Sequence, residues 1–431
     1  MMTTRALDQE HGGWKRKFFT IWGGQAFSLL GSQLVQFALI WYLTERTGSA
    51  SVLAMASMAG LLPGVFLSPF IGVLVDRWNR KMIMIFADAA IALVTFSMMI
   101  LFALDIVEVW HIYVILFLRA IGGSFHNPAM TATTTLMVPH EHMTRIQGIN
   151  QTLNGGLNII SAPLGALLLE LLPMSGIVAI DLATAVIAIL PLLVVAIPQP
   201  EPMQSGDGQR LTFFQEMREG FRYIIGWPGL LIVIGMATLI NFLLSPAFSL
   251  LPLLVKSHFS AGAIQLGWLN AVFGIGVILG GVLLSVWGGF KRRILTVTMG
   301  LVGIGLGSMI LGVLPPTGLT IAMGAMILLG LMLPIANGSL GALMQVTIDP
   351  AIQGRVLTLV GSAATAMIPI GLAAAGPLSD TFGIQIWFVI SGLVCIAMGF
   401  LQLIIPAVYN IEQSPQVLAR SQAKLSQEPS P

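Results

Sequence analysis

Charge is what this chain has least of. Only 9% of its 431 residues are Asp, Glu, Lys or Arg, against 56% hydrophobic. A water-soluble domain carries roughly 25% charged residues to cover its surface, so this chain must be solvated by lipid. A net charge of +2 with no long basic run excludes a nucleic-acid partner, because tracking phosphates takes clustered Lys and Arg. Cysteine is nearly absent. Cys395 stands alone in an apolar run, which excludes an intramolecular disulfide and a zinc site and marks it as a small buried hydrophobe. Enzyme signatures are missing as well. Gly303-Ile-Gly305-Leu-Gly307 has no preceding strand and no following Lys-Ser/Thr, and His140-Glu141-His142 lacks the i,i+4 spacing of a metalloprotease helix. With no Walker motif there is no expected ATP drive, metal or cofactor, and the chain does not read as an enzyme.

Long apolar runs dominate what remains. About 20 apolar residues cross a bilayer as a helix. Twelve such runs occupy 18–43, 50–75, 82–104, 111–138, 146–169, 176–197, 229–255, 264–287, 294–314, 319–347, 355–378 and 384–407. The expected fold is therefore an all-α membrane protein. The first run is too long for a signal peptide and lacks a small-x-small cleavage site, so it is read as a retained helix. Composition divides the chain into a polar N-terminus (1–17), a six-helix half (18–197), a linker (198–228), a second six-helix half (229–408) and a polar tail (409–431) expected to be disordered. The linker opens Pro198-Gln-Pro-Glu-Pro202. Within it Thr212-Phe-Phe-Gln215 has the capping-box pattern of a helix start. Phe213, Met217, Phe221 and Ile224 then recur at helical spacing opposite Glu216, Glu219 and Arg222. That pattern predicts an amphipathic helix lying on the membrane face.

Lys and Arg resist translocation and so report orientation. With twelve spans, only Arg46 and Lys256 of the 20 Lys and Arg fall on the far side, and Arg119 falls inside a span. The bias predicts an inner-membrane protein with both termini in the cytoplasm. The halves also repeat. Asn127 and Asn337 lie 210 residues apart, as do Arg145 and Arg355, and the basic cluster Lys291-Arg292-Arg293 matches Arg80-Lys81. A parallel six-helix repeat is the trace of a transporter built from two pseudosymmetric halves, with its site expected near the membrane midplane.

Several residues stand out as candidates. Gly72-Val-Leu-Val-Asp76-Arg77-Trp-Asn-Arg80-Lys81 puts one carboxylate among three cations at a helix end, behind a glycine that permits close approach. Such a cluster can make and release ion pairs as a gate. Arg119 is a cation in hydrocarbon, where charge is costly and marks function or a buried pair. Its candidate partners are Asp88 on the third span and Asp181 on the sixth. His126, seven residues on, lies on roughly the face of Arg119 and is a candidate proton carrier. The fifth span carries Gln147, Asn150, Gln151, Asn154 and Asn158, mostly on one face. That face either lines a cavity or joins helices, since a membrane helix cannot turn it to lipid. Gln25, Gln33, Gln36, Asn127, Asn154, Asn158, Asn241 and Asn337 are candidate cavity residues. The 23 Met, 22 Phe and 9 Trp offer adaptable apolar surface for a large amphiphile.

These motifs resemble the major facilitator superfamily over residues 14–408. The 72–81 segment is similar to its cytoplasmic loop motif. Leu118-Arg119-Ala-Ile-Gly122-Gly123 is similar to the fourth-helix motif of its proton antiporters. Ser161-Ala162-Pro163-Leu164-Gly165-Ala166 resembles the fifth-helix antiporter motif, usually Gly-Pro-x-x-Gly-Gly, with Ala in place of two glycines. Longer runs resemble one branch, the bacterial macrolide-efflux family: Trp14 to Ala26, Tyr42 to Ala50, Phe125-His126-Asn127-Pro128-Ala129, Ala179-Ile180-Asp181 and Gly354-Arg355-Val356. The resemblance implies proton-driven export of small amphiphilic drugs such as macrolides; the chain is expected to work as a monomer. An exporter or flippase of an endogenous lipid or siderophore-like molecule shares this architecture. A lipid-modifying enzyme would need a His, Asp or Ser cluster at one membrane interface, and the sequence has none.

Overall fold

A computed structural model describes residues 2–197, 213–349 and 352–414; within these, the side chains of 2–12, 68, 69, 72, 73, 76, 77, 140, 144 and 213–216 lie outside the description. All regular structure among the described residues is helical. The first six spans are α1 (Met2–Thr47), α2 (Ala50–Arg77), α3 (Arg80–Ala103), α4 (Val109–Met137), α5 (Met143–Leu171) and α6 (Met174–Val194). Then come the amphipathic α7 (Phe213–Ile225), α8 (Pro228–Ser249) and a short α9 (Leu251–Leu253). The last five spans are α10 (Ala263–Trp287), α11 (Arg293–Val313), α12 (Leu319–Thr347), α13 (Gln353–Phe382) and, ending the bundle, α14 (Gln385–Ile404), followed by α15 (Pro406–Tyr409). Twelve of these are long and apolar enough to cross a membrane, the number expected from sequence.

The seventh and twelfth spans end six and three residues before the expected positions, each near a proline, and the sixth ends three early, at Val194. The seventh stops at Ser249; Pro252 follows, and the chain continues as a π-helical turn, Leu254–His258. The twelfth stops at Ile404, because Pro406 supplies no backbone N–H to continue the ladder. Tyr409 to Ser414, expected to open the polar tail, pack instead. Val408 and Ile411 are buried. Glu412 accepts hydrogen bonds from the Arg293 guanidinium at 2.7 Å and the Arg293 backbone N–H at 3.1 Å, placing a carboxylate at the first turn of α11, where the helix dipole favours it. Residues 415–431 lie outside the described residues.

The chain forms two compact units, one of Met1–Gly206 with Ala261–Ala271 and one of Asp207–Ser260 with Val272–Pro431. In the first, α1 packs on α5 and α6, α3 on α4 and α6, and α2 on α4. In the second, α11 packs between α12 and α14, and α8 against α13 and α14. The Gly303–Gly307 run lies inside α11, where Gly305 meets the Gly392 carbonyl of α14. The repeat is kept at the level of elements: α4 and α12 are both 29 residues long and start 210 residues apart, as do α5 and α13. In α7, Gly220 lies against Leu359 of α13 and Glu219 pairs with Arg355 at 2.7 Å.

Candidate functional site

Asp88, Arg119, His126 and Asp181 of the first unit share one wall built from α1, α3, α4 and α6. Two close helix contacts bring them together. At Gly31 of α1, an added Cβ would lie 2.2 Å from Thr184 Oγ1 and 3.1 Å from the Asp181 Cα, so only glycine lets α1 approach α6 here. At Gly122 of α4, a Cβ would lie 2.5 Å from the Ile91 side chain of α3.

Of the two carboxylates expected as partners for Arg119, the packing selects Asp181. Arg119 Nη1 donates to Asp181 Oδ2 at 2.6 Å and also to Thr95 Oγ1. Arg119 Nη2 donates to Ser32 Oγ at 3.2 Å, and the Ser32 hydroxyl donates to Asp181 Oδ1 at 3.1 Å. Ser32 thus bridges both members of the ion pair. The pair is buried, with the Asp181 side chain 2% exposed and that of Arg119 11%. A charge-assisted bond this short, with Thr95 and Ser32 accepting from the same guanidinium, is what makes a buried pair tolerable.

Asp88 takes other partners. Gln25 Nε2 donates to its Oδ2 at 3.0 Å, so Gln25 holds an acid as well as lining the cavity. His126 Nε2 lies 3.3 Å from Asp88 Oδ1, within ion-pair range but without hydrogen-bond alignment. The wall therefore carries two acid–base pairs, Arg119 with Asp181 and His126 with Asp88.

Both pairs border a cavity of about 280 Å³ that is also lined by Ser28, Gln33, Gln36 and Asn127. Of the candidate cavity residues, Gln25, Gln33, Gln36 and Asn127 border this cavity. Asn241 donates to the Ala237 carbonyl of its own helix at 2.9 Å. Asn154, Asn158 and Asn337 are exposed and do not line this cavity. In the fifth-helix motif, Ala162 and Gly165 are buried and Pro163 lies inside α5; a Cβ at Gly165 would lie 2.9 Å from the Phe37 ring, so the motif packs α5 on α1. In the loop motif, the side chains of Gly72, Asp76 and Arg77 lie outside the described residues. Arg80 Nη1 donates to the Ala132 carbonyl at 3.0 Å, and Lys81 Nζ to the Leu193 and Val195 carbonyls at 3.1 and 2.9 Å. Lys81 thereby caps the C-terminal end of α6, where the helix dipole favours a cation.

Sequence reasoning missed Ser32, Thr95 and the Trp22–Asn150 bond at 2.7 Å. Hydroxyls in spans are common because they can bond their own backbone, as Thr44 does to Ile40 O; nothing in sequence separates Ser32 and Thr95 from these. The polar wall has no copy in the second half: at the repeat offset, Leu329 stands for Arg119 and Ala336 for His126.

Comparison with known proteins agrees with this architecture. The family model of the Major Facilitator Superfamily matches residues 21–372. Macrolide efflux protein A of Streptococcus pyogenes is 38% identical over 393 residues, covering 90% of this chain and 96% of that protein. Macrolide efflux protein A of Enterococcus faecalis is 37% identical over 326 residues, covering 75% and 100%. Among solved structures, a point mutant of nucleoside transporter NupG superimposes with a TM-score of 0.68 at 13% identity, covering 90% of this chain and 98% of that one. A bacterial homologue of the lysosomal transporter Spinster superimposes at 0.66 and 13% identity, covering 94% and 98%. At those identities the structures speak for the fold alone. The sequence matches extend through the α1, α3, α4 and α6 segments that build the polar wall, so the chain is a multi-pass membrane transporter rather than an enzyme, and it belongs to the macrolide-efflux family of the major facilitator superfamily.

Proposed function

We propose that this protein exports small amphiphilic molecules of the macrolide type across the cytoplasmic membrane in exchange for protons, as a monomer with both termini in the cytoplasm. The observation that carries this reading is the pairing of two acids with two bases in one cavity wall of one half. Arg119 and Asp181 hold α4 to α6 and, through Ser32, to α1. Asp88 and His126 join α3 to α4. Of the two, Asp88–His126 is the pair that can gain a proton without separating a carboxylate from an arginine. A proton taken up there changes the charge of the pair, and with it the balance of contacts at the α3–α4 seam. A substrate group seated beside Gln33, Gln36 and Asn127 competes for that charge, which is the coupling that exchange needs.

The cavity is smaller than the 300–1,000 Å³ usual for a drug-sized ligand. It suits the coupling network and one polar end of a substrate, not a whole macrolide. The sequence cluster Gly72, Asp76, Arg77, Arg80 and Lys81 is assigned the gate, with the proton gradient as the energy source and no cofactor. The test is macrolide uptake into inverted membrane vesicles under an imposed acid-inside gradient. Asp88→Asn should abolish uptake driven by the gradient while leaving macrolide binding within about twofold. Gradient-driven uptake with unaltered pH dependence in both Asp88→Asn and Asp181→Asn would remove the acids from coupling.

A further inference from the structure

The exposed amides of α5 are not used by the polar wall. Gln147, Gln151, Asn154 and Asn158 follow one another at intervals of four, three and four residues. At 100° per residue they fall within about 60° of arc and extend along roughly 16 Å of helix. All four are exposed and make no hydrogen bond among the described residues. Lipid cannot accept such a face, because unsatisfied amides in hydrocarbon are expensive. The stripe therefore faces water and whatever the water contains.

Two observations argue that the stripe serves a ligand and not the fold. At the repeat offset, α13 carries Leu357, Gly361, Ala364 and Ile368 in its place, so an equivalent span is built with no amide on this face. Asn150, at the edge of the same arc, is also not spare. It accepts from Trp22 Nε1 at 2.7 Å, which fixes the half-buried indole of α1 beside the stripe.

We propose that this amide stripe, with Trp22, is a subsite for the neutral, hydroxyl-rich part of the exported amphiphile, a glycosidic substituent in particular. Each amide offers donors and an acceptor and no charge, and so matches the paired donor–acceptor groups of neighbouring sugar hydroxyls. Adjacent amides at i,i+3 and i,i+4 lie about 5–6 Å apart, close enough for two to engage one sugar ring. The indole offers the flat apolar surface that the C–H face of such a ring packs against. A cationic or acidic group would gain nothing here, since no side chain in the stripe carries charge. The assignment rests on the export reading above and names the part of the substrate that α5 recognises.

The test compares equilibrium binding of a 14-membered macrolide and of the same macrolide with its neutral sugar removed, using the full chain in lipid nanodiscs. Wild type should bind the glycosylated form at least about tenfold more tightly, as two neutral hydrogen bonds imply. In Gln151→Leu/Asn154→Leu the preference should shrink to twofold or less, while the sugar-free compound binds as in wild type. That retained binding shows the variant is folded. The milder Gln151→Met should lose part of the preference. Equal binding of both compounds by wild type overturns the subsite and leaves the export reading standing, and so does a preference unchanged in the double variant. Binding of neither compound by wild type overturns the macrolide reading and the subsite with it.

Discussion

Asp181→Asn removes the only carboxylate bonded to Arg119 among the described residues and leaves a guanidinium 11% exposed, held there by Thr95 and Ser32. Stranding one member of a buried ion pair costs about 3–5 kcal/mol. The reverse change, Arg119→Leu, strands a carboxylate 2% exposed with one hydroxyl donor, at a cost of the same order. Arg119→Leu combined with Asp181→Asn strands nothing. Its loss should be well below the sum, giving a coupling of at least about 2 kcal/mol in a double-mutant cycle. Leu is the informative replacement, because Leu329 occupies the corresponding place in the second half and is buried there. Ser32 bonds both partners, so Ser32→Ala should cost about 1 kcal/mol in wild type and clearly less in the doubly substituted background. The cycle can be measured by reversible unfolding in bicelles with steric trapping. Additivity within about 0.5 kcal/mol would refute the pairing and the rotational setting of α4 and α6 with it.

Gly31→Val should destabilise the first unit by about 1–3 kcal/mol through overpacking, because its Cβ meets Thr184 and the Asp181 backbone. Thr184→Ala should recover part of the loss in the same unfolding assay. Reporter fusions in the Leu104–Val107 turn between α3 and α4 should read as external, and a cytoplasmic signal there would invert the proposed orientation.

The helices themselves were legible in the sequence because each is a solvation requirement. A run of some 20 apolar residues has one stable state in lipid, and its ends are marked by charge, Gly and Pro. Hence α12 begins and ends at the expected residues and α7 appears where the amphipathic period placed it. The seventh and twelfth spans show the limit: apolarity continued past Ser249 and Ile404, while the prolines nearby decided where the helix stopped. The repeat was legible too, since the spacing of Asn127 and Asn337 is carried by the chain alone.

The pairing of the buried charges was not legible. Sequence placed Arg119 in hydrocarbon and required a counter-charge, but Asp88 and Asp181 met that requirement equally. The choice depends on the rotation of α3, α4 and α6 about their axes, and that rotation is set by contacts such as Gly31 on Thr184 and Gly122 on Ile91. A glycine in a span does not announce which helix it will touch. Likewise Ser32 and Thr95 became part of the site only because packing turned them toward Arg119, where the same side chains elsewhere bond their own backbone. Composition and period determined that the chain spans a membrane twelve times with a charge buried inside. Helix packing decided which acid answers that charge, because a hydrogen bond depends on angles and on tenths of an ångström that no linear pattern encodes.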